Sequence, residues 1–424
     1  MAETFDVLRE TSTPAAANGI HDLLPTVHDR RDIAQPAEST PVRPYSVLLT
    51  CDFFEPGFRA GGPVRSVAQL LDVVSPAIKV TMVTRDRDLG STEAYPGLSG
   101  RWTQRGQARI YYLDTRRLRQ WYGLLKMLRS TRFDLLYVNS LWATSSILPI
   151  LAAHARIIRV QRIVVAPRGE VAASALGVKS RKKKLFLRVW RPILKRLGVR
   201  WHATSPHEAQ LIRNVFPWAR VEIRRNEVSL PPEPIPPNDI DGPPRLVFIG
   251  RISPIKNLST VIEALALVTR PVVFDVYGPL EDTSYWAECQ RLAQRLPESV
   301  TFSYRGELAP HEVRSTFARY DLFVFPTQGE NFGHVIAESL SASCPVICSD
   351  QTPWSPVLQE GGGAVLSDVT AATLARQIDQ FARHTPGERI EARRAAGQAY
   401  RSWRAESAGP NILDRIRLTV VDDR

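Results

Sequence analysis

Two short stretches of this chain carry residue types that together suit a ligand bearing both phosphates and hydroxyls. Gly250 closes an apolar run, and Arg251 and Lys256 follow across a short loop before a helix expected near Asn257. A tight glycine turn, two cations and a helix N-terminus make an anion site of the size of a diphosphate. Downstream, Glu330 lies in a glycine-containing loop, and Glu338 lies eight residues further on the next helix. Carboxylates straddling a helix start can accept hydrogen bonds from hydroxyls in two parts of one ligand. Phe332, Gly333 and His334 would turn backbone N–H groups toward a phosphate between them. A buried carboxylate loses hydration and needs such bonds. The structural alternative is two solvated cations, a loop charge and a helix-face charge.

Other chemistries find less support. The loops after the first strand of each half lack G-x-G-x-x-G, and Gly-Lys occurs nowhere, so dinucleotide and P-loop signatures are missing. Asp86-Arg87-Asp88 spells Asp-x-Asp, a pattern used elsewhere to hold a divalent metal on a diphosphate, but it reads better here as a polar loop. His202 and His207 flank a strand-to-helix turn without the second histidine of a zincin, and the four cysteines form no C-x-x-C pair. The expectation is no metal and no cofactor.

The elements that must position these residues alternate. Apolar runs at 45–50, 78–84, 108–113, 133–138, 162–167 and 200–205 are separated by helical patterns near 63–74, 118–131, 143–157, 181–197 and 206–215. The alternation restarts with strands at 245–250, 272–278, 300–306, 321–326 and 345–350. Alternating strands and helices imply parallel sheets covered on both faces, with ligands at the carboxyl ends of the strands. Between the halves, residues 231–244 contain seven prolines, which exclude a regular helix or central strand. The expected organisation is a mobile tail (1–44), a first α/β domain (45–226), a proline-rich linker acting as hinge (227–244), a second α/β domain (245–408), and a C-terminal helix and tail (409–424) returning to the first.

Gly250, Arg251, Lys256, Glu330 and Glu338 together resemble the donor domain of glycosyltransferase family 4, whose hallmarks are a Gly-Arg…Lys loop and a Glu-x7-Glu motif. The resemblance implies a GT-B fold: two Rossmann-like doubly wound domains facing each other across a cleft. It further implies a retaining hexosyltransferase of bacterial exopolysaccharide, capsule or lipopolysaccharide biosynthesis. The donor would be a UDP- or GDP-linked sugar, a substrate and not a cofactor. By that resemblance Arg251 and Lys256 hold the diphosphate, Glu338 the ribose and Glu330 the transferred sugar, with Phe332, Gly333 and His334 shaping the pocket and the base near residues 304–307. Ala60-Gly61-Gly62-Pro63-Val64-Arg65 is similar to the glycine loop that faces the donor from the first domain. The family's His-containing motif after the fourth strand is replaced by Asn139-Ser140-Leu141-Trp142, so Asn139, Arg168 and Glu170 are the acceptor-side candidates. A turn or ion pair is the alternative for Arg168-Gly169-Glu170. A nucleotide-sugar epimerase of the same fold is the alternative function.

Charge adds a partner. Residues 1–200 hold 32 Lys+Arg against 16 Asp+Glu, whereas residues 201–424 hold 23 against 27. A basic first half favours an anionic partner. Nucleic acid is disfavoured because no RNA-binding or helix-turn-helix signature accompanies the charge. Residues 179–200 contain ten Lys+Arg, no acid, and an apolar stripe of Leu185, Phe186, Val189, Trp190, Ile193, Leu194 and Leu197. That face would suit an anionic membrane and a lipid-linked acceptor, or would pack on the sheet with its lysines solvated. The uncharged run 135–153 holds too many polar residues for a span, and the N-terminus lacks a signal-peptide pattern. The expected location is the cytoplasm, peripheral at the inner face of the plasma membrane.

Overall fold

The computed structural model describes residues 43–172, 180–238 and 242–422. The expected tail lies outside the described residues except for Arg43 and Pro44, as do Lys179 and the side chains of Arg181 and Lys184. From Pro44 onward the chain packs as one compact body built on two sheets, which with their covering helices form a first and a second unit.

Its first sheet has eight strands in the order β3-β4-β2-β1-β5-β6-β7-β8. They are β1 (Tyr45–Thr50), β2 (Ile78–Arg85), β3 (Trp102–Arg105), β4 (Ala108–Leu113), β5 (Arg132–Asn139), β6 (Arg159–Ala166), β7 (Arg200–Ala203) and β8 (Arg220–Ile223). Thr50 aligns with Val83 of β2 and Val138 of β5, so the central strands end together. The pattern expected six parallel strands and missed two. β3 is polar and antiparallel to β4, held by Trp102 against Tyr111 and under the Arg109 guanidinium, and β8 is a short, half-exposed edge.

Side chains alternate along each strand. Val47 and Leu49 face one layer, formed by helix α1 (Gly62–Asp72) and the final helix. Leu48 faces the other, formed by α2 (Leu118–Ser130), α3 (Thr144–His154), α4 (Ser180–Arg196) and α5 (Pro206–Val215). In α4 the stripe splits: Trp190 and Leu194 pack on the sheet beside Leu187, while Leu185 and Val189 are 66% and 61% exposed.

The second sheet is wholly parallel, in the order β11-β10-β9-β12-β13-β14. Its strands are β9 (Arg245–Ile249), β10 (Val272–Tyr277), β11 (Val300–Tyr304), β12 (Leu322–Phe325), β13 (Val346–Ser349) and β14 (Gly363–Leu366). β14 was not expected, because its glycine-rich start reads as a loop. Gly363 is needed there: a Cβ would sit 1.9 Å from the Val346 carbonyl oxygen. Helices α6 (Leu258–Leu265), α7 (Thr283–Ala293), α8 (His334–Ser341), α9 (Ala371–Ala382) and α10 (Pro386–Glu406) add Val261, Tyr285, Ile336, Leu374 and Tyr400 to this core.

The proline-rich segment is not a free hinge. An extended proline run leaves its carbonyls without ladder partners. The second unit supplies them: Tyr400 Oη donates to Pro231 O, Arg404 to Leu230 O, Arg314 to Glu233 O, and Arg393 to Asn238 O. After α10 the chain crosses back, and α11 (Ile412–Asp422) buries Ile412, Leu413 and Ile416 against the first sheet. Arg224 ties this crossing by donating to Ser407 O and Gly409 O. Among the described residues no helix is long and apolar enough to cross a membrane. The uncharged run at 135–153 folds as part of β5 and α3.

Candidate active site

The carboxyl ends of both sheets face a cleft of about 1050 Å³, lined from the second unit by Gly250, Arg251, Lys256, Glu330, Phe332, Gly333, His334 and Glu338 and from the first by Gly61, Gly62, Arg168 and Glu170. Asn139 is the one named candidate that does not line it.

The cation loop is set by backbone geometry. Gly250 follows β9 and donates to Tyr277 O at 3.0 Å. Residues Pro254–Lys256 form one 3₁₀ turn, ended by Asn257 at φ 62°. Asparagine tolerates that left-handed conformation, and the buried Asn257 amide donates to Pro326 O at 3.1 Å. Thr327 Oγ1 and Gln328 N both donate to Ile255 O, which stitches this turn to the loop carrying Glu330. Lys256 therefore ion-pairs with Glu330. Arg251 pairs with Glu281 at 2.6 Å in a more exposed setting.

Helix α8 begins at Gly333, φ 79°. A Cβ there would lie 3.2 Å from Ile336 Cδ1 and from Trp354 Nε1. Trp354 Nε1 donates to Phe332 O at 2.5 Å, and Phe332 stacks into a buried group with His334, Trp354 and Trp403. Phe332 thus fixes the loop from beneath as well as shaping the pocket.

The first unit answers from across the cleft. Gly61, φ 73°, and Gly62 open α1 with Pro63 in its first turn. A Cβ on Gly61 would be 4.0 Å from Arg251 Nε, and one on Gly62 would be 3.5 Å from His334 Cδ2. Ser66 Oγ meets His334 Nε2 at 2.9 Å. Arg65 Nη1 pairs with Glu338 Oε1 at 2.5 Å. Glu338 Oε2 is buried with no partner among the described residues. Burial pushes the Glu338 carboxyl up from its ordinary value, and the Arg65 guanidinium opposes that shift. Burial holds His334 down at about 3, helped by Arg65 and Arg168, so its ring is neutral.

Arg168, at φ 53°, lines the cleft from the first unit. It donates to Asn139 Oδ1 at 2.8 and 3.1 Å, to Tyr137 Oη at 3.2 Å, and to Asn226. Asn139, anchored on Thr50 O, positions this arginine. Glu170 accepts from Ser140 Oγ at 2.8 Å and Leu141 N at 2.5 Å, so it braces the turn after β5, and burial raises its pKa. The alternative Arg168–Glu170 ion pair does not form; Arg168 turns to Asn139 instead. Tyr304 stands behind the cleft wall, where its hydroxyl donates to Gly278 O, and the lining there is Glu307 and Leu308.

Both carboxylates of Asp86-Arg87-Asp88 are engaged. Asp86 is buried against Arg87 at 2.9 Å, and Asp88 accepts from Phe58 N and Arg59 N, holding the glycine loop. His202 is buried between Tyr137 Oη and Arg224 O, with burial taking it down to about 3. His207 lines the cleft. Among the described residues no cluster of three or more His, Cys, Asp or Glu could hold a metal.

Sequence reasoning missed Arg65 as a partner of Glu338, Asn226 beside Arg168, and the Thr204–Asn331 contact (3.2 and 3.3 Å) that bridges the two units. No local spacing signals these, because the partners lie 58, 127 and 273 residues apart in the sequence.

Residues 233–403 match the family described as Glycosyl transferases group 1. Over 122 residues the chain is 29% identical to the O-antigen chain mannosyltransferase B of Escherichia coli, covering 27% of this chain and 31% of that one. Over 137 residues it is 29% identical to the putative teichuronic acid biosynthesis glycosyltransferase TuaC of Bacillus subtilis (strain 168), covering 32% of each. The matches thus span about a third of these curated relatives. Among solved structures, Anabaena HepE in complex with UDP and glucose superposes with a TM-score of 0.63 at 15% identity, covering 85% of this chain and 95% of that one. The fold is GT-B, and the second unit is a glycosyl transferases group 1 domain.

Proposed function

We propose that this protein is a retaining glycosyltransferase, moving a hexose from a UDP- or GDP-linked sugar to a saccharide or lipid-linked acceptor in bacterial surface-polysaccharide biosynthesis. The observation that carries this reading is the meeting of Arg251, Lys256, Glu330, Glu338 and the α8 N-terminus in one cleft, opposite the glycine start of α1. The donor diphosphate lies against Arg251, Lys256 and the Gly333–His334 backbone. The free Oε2 of Glu338 accepts from ribose hydroxyls, and Glu330 accepts from the sugar.

In the reaction the anomeric carbon gains positive charge while the nucleoside diphosphate leaves with negative charge. Arg251 and Lys256 stabilise the departing oxygen without a metal. The acceptor hydroxyl attacks from the face the diphosphate leaves and gives its proton to the leaving phosphate, which retains configuration. His334, neutral and bonded to Ser66, contributes hydrogen bonding and no charge. The outer face of α4, with Leu185, Val189, Arg188 and Arg191 exposed, lies on the inner membrane surface.

The test is thermal shift with UDP, GDP and ADP, followed by donor hydrolysis over a panel of nucleotide sugars. Stabilisation by one diphosphate and hydrolysis of its sugars is expected. No response to any nucleotide refutes the reading.

A further inference from the structure

A second cavity, of about 90 Å³, lies in the first unit between α2, α3 and the sheet, apart from the cleft. Its walls are Leu48, Val83, Leu113, Leu124, Leu128 and Ile158. At one end the lining reaches Leu125 and Leu148, which are 36% and 41% exposed on the outer faces of α2 and α3. At the other end, where β1 and β2 finish, it reaches Thr50, Asp52, Arg85 and Ser145. Three buried polar atoms of that end, Thr50 Oγ1, Arg85 Nε and Ser145 Oγ, have no hydrogen-bond partner among the described residues. Thr50 is only 5% exposed. Arg85 Nε forms an ion pair with Asp52 Oδ1 at 4.0 Å, too long for a hydrogen bond, and the same Asp52 oxygen accepts from Ser145 N at 3.4 Å, so an incoming head group must take Arg85 over from Asp52.

Interiors are close-packed, and buried polar groups are normally bonded. This slot departs from both rules in one place, apolar along its length and unsatisfied at its tip. Water relieves only the tip, because each buried water needs two to four polar partners that the leucine walls do not supply. A molecule with a hydrocarbon chain and an anionic, hydrogen-bonding head relieves both. The surroundings fit the same ligand: beyond the outer opening Leu118, Tyr122 and Leu151 are exposed, beside the exposed Arg116, Arg117 and Arg119. Apolar side chains interleaved with cations form a face for an anionic lipid surface.

We infer that the slot binds one hydrocarbon chain of an anionic amphiphile, its head at Thr50, Arg85 and Ser145 and its chain leading out between α2 and α3. The head would then stand at the strand ends: Thr50 O also holds Asn139, which holds Arg168 in the cleft. The inference extends the acceptor side of the proposed function, but its test uses no sugar.

Calorimetric titration of the full chain with farnesyl phosphate, decanoate and inorganic phosphate, each below its micelle concentration, reads the site. Saturable one-to-one binding of at least one amphiphile is expected, with none for inorganic phosphate. Preference for farnesyl phosphate assigns the occupant to an isoprenoid carrier, and preference for decanoate to a membrane acyl chain. Ala152→Phe fills the slot, and Leu148→Glu places a charge at its exposed mouth without touching the core. Each should weaken binding at least tenfold while thermal stabilisation by nucleotide is unchanged. Unaltered affinity in both variants, equal binding of inorganic phosphate, or no saturable binding of either amphiphile overturns the inference. Loss of the nucleotide response alone bears on the donor reading and not on the slot.

Discussion

Arg251→Ala and Lys256→Ala should separate catalysis from stability, because the two cations are buried to different extents. The Arg251–Glu281 pair is 36% and 40% exposed, and a pair of that kind contributes at most about 1 kcal/mol. The Lys256–Glu330 side chains are 12% and 15% exposed. Removing Lys256 leaves a largely buried carboxylate unpaired, at a cost of about 3 kcal/mol. If both cations stabilise the departing diphosphate, each variant also loses roughly 2.7–4 kcal/mol of transition-state stabilisation, about 100- to 1000-fold in turnover. Urea unfolding and steady-state kinetics on the cognate donor measure the two quantities. Arg251→Ala should be crippled but stable, and Lys256→Ala crippled and destabilised. The double variant Lys256→Met/Glu330→Gln should regain stability without regaining turnover. Arg251→Ala turning over within a few-fold of wild type refutes the leaving-group assignment.

Other consequences are measurable on the same protein. If Glu338 accepts from the donor ribose as proposed, Glu338→Gln should raise donor KM more than it lowers kcat, because such contacts are made in ground and transition states alike. Burial raises the Glu338 pKa, so the ionised form that accepts ribose hydroxyls is lost as pH falls through a value above the ordinary glutamate range. Donor affinity should weaken there in wild type and stay flat in the variant. His202 and His334 sit near 3 against about 6.5 in the unfolded chain, so below pH 6.5 the unfolded state takes up protons that the native state refuses. Stability should therefore be full above pH 6.5 and fall on acidification, by about 2 kcal/mol per histidine at pH 5. Urea unfolding of His202→Gln should show about half that loss, and an unchanged slope would contradict the assignment. Turnover should survive EDTA, since Asp86 and Asp88 are engaged by Arg87 and by the Phe58–Arg59 backbone; loss on chelation with rescue by manganese would reverse this.

What the sequence discloses follows from how far apart the partners lie. The Gly250–Lys256 loop and the Glu330–Glu338 helix start are local units, so their spacing alone suggests their chemistry. The central strands are legible for the same reason: burial on both faces gives continuous apolar runs such as Leu135–Val138. Edges are not legible, since β3 is held by a tryptophan under an arginine and β14 starts on a glycine required by packing. Nor is the coupling of the two halves: Arg65 and Glu338 lie 273 residues apart, and Thr204 and Asn331 lie 127 apart. The proline-rich segment misleads in the opposite direction. Its composition signals freedom, but arginines more than seventy residues downstream bind its carbonyls. Composition reports what a segment cannot do by itself, and the rest of the chain decides what becomes of it.

The pairing of charges in the cleft bears on how a donor enters. Three cations of the cleft already hold a carboxylate: Arg251 with Glu281, Lys256 with Glu330, Arg65 with Glu338. A simple anion such as sulfate would have to break these pairs and leave the acids uncompensated in a partly desolvated site, which is unfavourable. A sugar linked to a diphosphate exchanges both members at once, since its phosphates take the cations while its hydroxyls donate to the freed carboxylates. A nucleoside diphosphate without its sugar still takes the cations and reaches Glu338 but leaves Glu330 unanswered, so it should bind, and more weakly than the intact donor. Discrimination of this kind is strong because a missing hydroxyl leaves a buried acceptor unpaired. The interlocked pairs also connect the two halves, as Arg65 rides on α1 and Glu338 on α8. On the proposed function, a donor that draws Glu338 toward its ribose would loosen that bridge and replace it with its own contacts to both walls, coupling occupancy of the cleft to one of the contacts, beside Thr204–Asn331 and Ser66–His334, that join the two halves.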